Sequence, residues 1–247
     1  MVLTNALANI IPLGGNTTGQ VSEKYPNLFT PVPITFAIWA VIYLFMGWFV
    51  LWQWAGRNND VFIRKIGPWF SISCFFNTAW IFFWHYERID WSVFCIVWLL
   101  ISLIVINRQI AVANDSITVK LIRYGFEIYF GWIIAATIAN ISVLLAKLEW
   151  NGFGLSEQFW TAAILVVGMI ITVLTVIIGH YSAAGLAVIW AYVGIIIRHL
   201  SANYYNNEYP YVVGAAIISI ALIFSAMSLG IAVKNNGLIK DAIKASV

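Results

Sequence analysis

The sequence predicts an all-α fold, a polytopic transmembrane helical bundle of about seven spans, and three observations carry that prediction. Of 247 residues, 62% are hydrophobic and 9% charged, with a mean hydropathy of +0.88, whereas soluble domains run at roughly 45–50% apolar and about 25% charged. Too few polar side chains remain to cover a water-facing surface. The apolar residues fall in runs near the length needed to cross a hydrocarbon core of about 30 Å, where backbone groups must bond within their own segment, which selects helices. The runs are continuous and do not alternate with polar residues, so a transmembrane β-barrel is not expected.

Hydropathy places the spans at 32–54, 66–84, 91–107, 124–146, 159–179, 183–199 and 210–233. Ahead of them, Ala6 to Leu13 forms a stub too short to cross, and Gly14-Gly15-Asn16-Thr17-Thr18-Gly19 reads as a flexible outer loop. Pro33 and Pro210 suit first-turn positions, where the N–H that proline lacks has no partner anyway. Only His180-Tyr181-Ser182 joins spans five and six, so the pair must form a tight hairpin. Spans two to six are read as lacking interior prolines, which argues against the broken helices of transporters.

Orientation follows from Lys and Arg, which favour cytoplasmic loops. One side receives nine (Arg57, Arg64, Lys65, Arg108, Lys120, Arg123, Lys234, Lys240 and Lys244) and the other four (Lys24, Arg88, Lys147 and Arg198). The expected arrangement therefore has the N-terminus outside and the C-terminus cytoplasmic. The net charge of +3 is spread over the flanks of the spans, so no nucleic-acid partner is expected. Cys74 and Cys95 lie inside apolar runs, where cysteine acts as a small hydrophobe. Met1-Val2-Leu3-Thr4 brings no basic region before the first apolar stretch, which argues against a secretory signal peptide.

Polar residues within the spans carry the functional reading, because in hydrocarbon they face the bundle interior or a cavity. Asn77 and Asn140 are the clearest. Their amides either cross-link helices, at about 0.6–2 kcal/mol each, or orient a ligand in an apolar aromatic pocket. Glu127 follows Arg123 by four residues, the spacing of an interfacial ion pair. Arg198, His199 and His180 sit near helix ends, where long side chains can snorkel to water. No histidine has a second His or Cys at a metal-like spacing, so no metal is expected. The last span holds no lysine for a retinal Schiff base, and no nucleophile with its base or phosphate-binding glycine loop is visible, so catalysis has no constellation.

The chain carries 13 Trp. An interfacial belt accounts for Trp52, Trp54, Trp69, Trp91, Trp150 and Trp160 at helix ends, but less well for Trp39, Trp80, Trp98, Trp132 and Trp190 within the spans. Three patterns organise these inner residues. Trp39 to Gly47 reads W-x-x-x-Y-x-x-M-G behind Pro31 and Pro33; Asn77-Thr78-Ala79-Trp80 with Phe82-Phe83 reads N-x-x-W and paired aromatics; Trp132 to Asn140 reads W-x-x-A-A-T-x-x-N. In this order they resemble the TspO/MBR family, the tryptophan-rich sensory or translocator proteins, over residues 32–146.

The resemblance implies a TspO-like four-helix core at 32–146 preceded by a stub and outer loop at 1–31, with Leu3 to Pro12 standing for a shortened first helix. Residues 147–247 add three transmembrane helices and a short cytoplasmic tail, as in longer relatives of the five-helix members. By the same resemblance the function is that of an integral, multi-pass binding or sensor protein for a planar hydrophobic ligand such as a porphyrin. Its pocket would be lined by Trp39, Tyr43, Asn77, Trp80, Trp132, Ala136 and Asn140. The spacing agrees, since Trp132, Ala136 and Asn140 recur every four residues and share a helix face. No cofactor is required beyond a bound tetrapyrrole as ligand. The expected partners are the lipid bilayer and that ligand, and homodimerisation is left open. Between Asn140 and Lys147, at the end of the fourth span, no Tyr precedes the basic residue at the spacing of the proposed sterol motif, so sterol binding is not expected. Transport of a small hydrophobic solute, a structural role in a membrane complex and breakdown of a bound pigment are the alternatives.

Overall fold

The computed structural model describes residues 1–11, 13–54, 61–111 and 117–235. Pro12, Arg57, Lys240 and Lys244 lie outside the described residues, as does the tail beyond Asn235. Nine α-helices are present among the described residues, with no strand: α1 (Val2–Ile10), α2 (Thr18–Glu23), α3 (Ile38–Trp54), α4 (Val61–His85), α5 (Ile89–Ala111), α6 (Ile117–Lys147), α7 (Glu157–Ile177), α8 (Ser182–Leu200) and α9 (Pro210–Asn235). Seven helical stretches are long and apolar enough to cross a membrane, the first running from the 3₁₀ turn Pro33–Ala37 through α3. The chain is an integral multi-pass membrane protein.

Hydropathy located every span but trimmed several. The fourth extends back to Ile117 and the second to Val61, so Arg64, Lys65, Lys120 and Arg123 sit on helices and not in loops. Hydropathy senses only the hydrocarbon slab, whereas a helix of 31 residues, about 46 Å at 1.5 Å per residue, continues through the headgroups. The longer α4 places Pro68 in its interior, which corrects the expectation that spans two to six lack interior prolines. The residues after Gly14 are likewise not an open loop. Thr17 and Gln20 form a capping box, with Gln20 N–H donating to Thr17 Oγ1 at 3.3 Å and Thr17 N–H to Gln20 Oε1 at 2.8 Å, and this starts α2.

Two halves meet at one close seam. In the first, α4, α5 and α6 pack side by side and α3 leans on α6; in the second, α7 and α8 both pack on α9. The seam is α6 against α8, where Gly131 approaches the backbone of Ala184 so closely that a Cβ would overlap its carbonyl. Small residues Ala183, Ala184, Ala187 and Ala191 line the buried face of α8. Helices in lipid gain no hydrophobic drive from pairing, so close backbone approach through small side chains supplies the attraction. Glu127, buried on α6, accepts the N–H of Ala183 at 2.9 Å and caps α8, a tie that its spacing from Arg123 did not signal. The hairpin between α7 and α8 is as tight as expected, with His180 at a φ of 58°.

The turn between α4 and α5 is bound from three directions. Lys24 Nζ donates to Glu87 Oε1 at 2.6 Å, Tyr25 OH to Glu87 Oε2 at 2.9 Å, and Lys147 Nζ to the Glu87 carbonyl at 2.8 Å. The Lys24 and then the Tyr25 hydrogen bonds hold the Glu87 carboxyl below its ordinary 4.5, while burial and the Glu87 contact push Tyr25 up to about 12. A lowered carboxyl favours the charged folded form, so its contribution is complete above the ordinary value and is lost as pH falls through the lowered one. Thermal unfolding in detergent from pH 7 to pH 3 is expected to cost the wild type more than Glu87→Gln. Parallel pH profiles for the two proteins would remove this role.

Candidate functional site

Three helices and the segment before α3 converge on one aromatic cage. Trp39, at the start of α3, stacks on Tyr43 one turn later, with centroids 5.3 Å apart and planes at 15°. Its ring also meets Trp80 of α4 at 5.8 Å and Trp132 of α6 at 6.1 Å, nearly perpendicular to the latter. Phe36 closes over Trp132 edge-on at 6.0 Å, and Trp84 continues the wall by stacking on Trp80 at 5.8 Å. Offset and edge-to-face arrangements at these separations are the favourable ones for π systems.

One amide holds the cage in place. Asn140 Oδ1 accepts the Trp80 indole N–H at 2.9 Å, and its amide bonds Ser92 of α5 through Nδ2 at 2.9 Å. Asn77 serves elsewhere: Nδ2 donates to Tyr129 OH at 2.8 Å and Oδ1 accepts from Asn5 of α1 at 2.7 Å. It lines no described cavity and ties α1 to α4 and α6.

Trp39, Trp80, Trp132, Ala136 and Asn140 line a cavity of about 30 Å³. That is room for two or three waters, at roughly 10–15 Å³ each. Trp39 and Phe36 separate it from a second space of about 640 Å³, on which Tyr43 and Asn5 border. The indole N–H groups of Trp39 and Trp132, two rings of the cage, are buried without a hydrogen-bond partner among the described residues. Buried donors are nearly always paired, so these two are the groups that a ligand's acceptor atoms would satisfy.

The wall that sequence reasoning missed comes from α8 and from the segment it grips. Ala191 and Ile195 of α8 line the cavity beside Phe29, Pro31 and Phe36. Trp190 Nε1 donates to Thr35 O at 2.8 Å, Val32 N to Gly194 O at 3.2 Å, and Arg198 Nη1 to Pro31 O at 3.4 Å. His199 Nε2 bonds Leu28 O at 2.9 Å, and Tyr205 OH reaches Asn27 O at 3.2 Å. Gly194 lets Thr35 and Pro31 press against the helix backbone, with no space for a Cβ. Arg198 and His199 are thus buried fasteners and not the snorkelling side chains expected from their place near a helix end. The reason is local: the incoming chain offers the carbonyls of Leu28 and Pro31, and these two side chains meet them. Only the span-internal Trp190 hinted at this in the sequence.

Trp98, also within a span, takes no part. It is 40% exposed, stacked on Phe76 at 5.8 Å on the lipid-facing side.

No group of three or more His, Cys, Asp or Glu at metal-binding separation occurs among the described residues. No curated protein and no solved structure matches the chain. A family model does: that of the TSPO-like proteins matches residues 1–229, through all seven long helices and not only the core at 32–146. The chain belongs to the TSPO-like protein family.

Proposed function

We propose that the protein binds a flat, hydrophobic ligand of the porphyrin class within the Trp39–Trp80–Trp132 cage, and acts as a binding or sensor protein. The observation that carries this reading is the pair of buried, unpartnered indole N–H groups on two of the rings that line this largely apolar, aromatic cavity. Tetrapyrroles bring what the site lacks: an extended π face for stacking and carboxylate or carbonyl oxygens for the two N–H groups. The cage cavity measures about 30 Å³, so admission of a macrocycle requires Phe36 or Trp39 to swing towards the adjoining space of about 640 Å³. The cost of opening is set by how firmly α8 grips residues 27–37. None of the side chains in the cage is an acid, a base or a metal ligand, so binding is favoured over chemistry on the ligand.

Titration of protoporphyrin into the purified protein tests the reading through tryptophan fluorescence. Saturable quenching is expected, weakened at least tenfold by Trp132→Ala and unchanged by Trp98→Ala, whose ring faces lipid. Equal effects of the two substitutions, or none, would overturn it.

A further inference from the structure

A third cavity lies apart from the cage and the space beside it, and its lining has a different chemistry. It measures about 540 Å³, between the loop Pro26–Phe29, the end of α6, the turn 151–155 and the first two turns of α7. That volume falls in the range of small-molecule sites, roughly 300–1,000 Å³. Trp150 and Trp160 meet in it with centroids 5.1 Å apart and planes at 57°, two walls of an open corner. Trp160 is pinned there by its N–H on Gly152 O at 2.8 Å. Leu145, Ile164 and Phe29 supply an apolar floor.

The charges in this chamber have one sign. Glu149 and Glu157 line it and no Lys, Arg or His does. Glu157 Oε1 accepts Leu28 N–H at 2.9 Å, and neither carboxylate has an ion-pair partner among the described residues. The nearby lysines are occupied elsewhere, Lys24 on the Glu87 carboxylate and Lys147 on its carbonyl. Two exposed carboxylates without an ion-pair partner, lining the same space as inclined indole rings, favour a cation twice over, by Coulomb attraction and by the negative face of the ring. An anion or a neutral molecule gains from neither.

We infer that this chamber is a binding site for an amphipathic ammonium ion, with the charged head between Glu149, Glu157 and the Trp150–Trp160 corner and the apolar body on Leu145 and Ile164. The site is independent of the tetrapyrrole reading, because only Phe29 is shared between the two cavities. The ammonium group can belong to a free amine or to a lipid headgroup, and the chemistry of recognition is the same.

The test uses the full-length protein in neutral detergent and three probes of one shape: naphthylmethyl-trimethylammonium, naphthylmethanol and naphthylacetate, followed by calorimetry. The cation is expected to bind at least tenfold more tightly than the alcohol, with the carboxylate weakest. Glu149→Gln with Glu157→Gln keeps the oxygen that Leu28 N–H needs and is expected to erase the preference while leaving the alcohol unchanged. Trp150→Leu is expected to weaken the cation at least fivefold. Displacement of the probe by a short-chain phosphatidylcholine, and not by the matching phosphatidylglycerol, assigns the head to a lipid; failure of both to displace it assigns a free amine. A cation bound no more tightly than the alcohol by the wild type, or a preference that survives the double substitution, would overturn the inference.

Discussion

Replacing Gly131 by valine is expected to separate α8 from α6 and to abolish recovery of a folded bundle in mild detergent. Any Cβ at this position runs into the Ala184 carbonyl, its carbon and its Cα, which are backbone atoms and cannot rotate away. Overpacking of flexible side chains costs about 1–3 kcal/mol, and a backbone obstacle removes the cheap ways of yielding, so ~3 kcal/mol or more is expected here. The seam also carries the Glu127 cap on α8 and the grip of α8 on residues 27–37, so parting the helices undoes both. Gly47→Val is the matched control, because a Cβ there meets nothing within 4 Å. Size-exclusion profiles and melting temperatures of the two variants decide the matter: a Gly131→Val protein that melts with the wild type would remove the seam from the account.

Substitution of the two buried asparagines is expected to separate stability from binding. Asn140→Leu strips the Trp80 indole of its acceptor, leaving a buried N–H unpaired at a cost of roughly 1–3 kcal/mol. Ser92 keeps its bond to Ile89 O, so the loss falls on the orientation of Trp80. Ligand affinity should drop at least tenfold, because one wall of the cage is released. Asn77→Leu breaks bonds to Tyr129 and to Asn5, of comparable energy, and neither of these residues lines the cage cavity. It should lower the melting temperature by a similar amount and leave affinity within about twofold. The reverse pattern, with Asn77→Leu the binding defect, would transfer the site to the α1–α4 contact.

Most of the bundle was legible in the sequence because crossing a membrane imposes a length and a composition on each segment, and those can be read one segment at a time. The shared helix face of Trp132 and Asn140 was also legible, through their spacing, whereas their meeting with Trp39 and Trp80 was implied by the family resemblance of the motifs that contain them. Asn77 carries the same signal of a lone amide in an apolar run, and nothing local separates an amide that braces a helix from one that holds a cage wall. The part played by α8 was invisible for a different reason. Its fasteners act on backbone carbonyls of residues 27–35, and a carbonyl leaves no mark in the sequence. Arg198 and His199 then look like ordinary residues of a helix end. The α2 helix was missed because its capping box lies in a Gly- and Thr-rich stretch that composition alone assigns to a loop.

The account rests on the indole cage being the receptor, and an experimental structure of the protein with protoporphyrin bound tests that directly. Density for the macrocycle is expected between α3, α4 and α6, in contact with Trp39 and Trp132, with Phe36 displaced and an acceptor oxygen within hydrogen-bond reach of one indole N–H. Macrocycle density lying only on the lipid-facing surface, with the cage still closed, would contradict it.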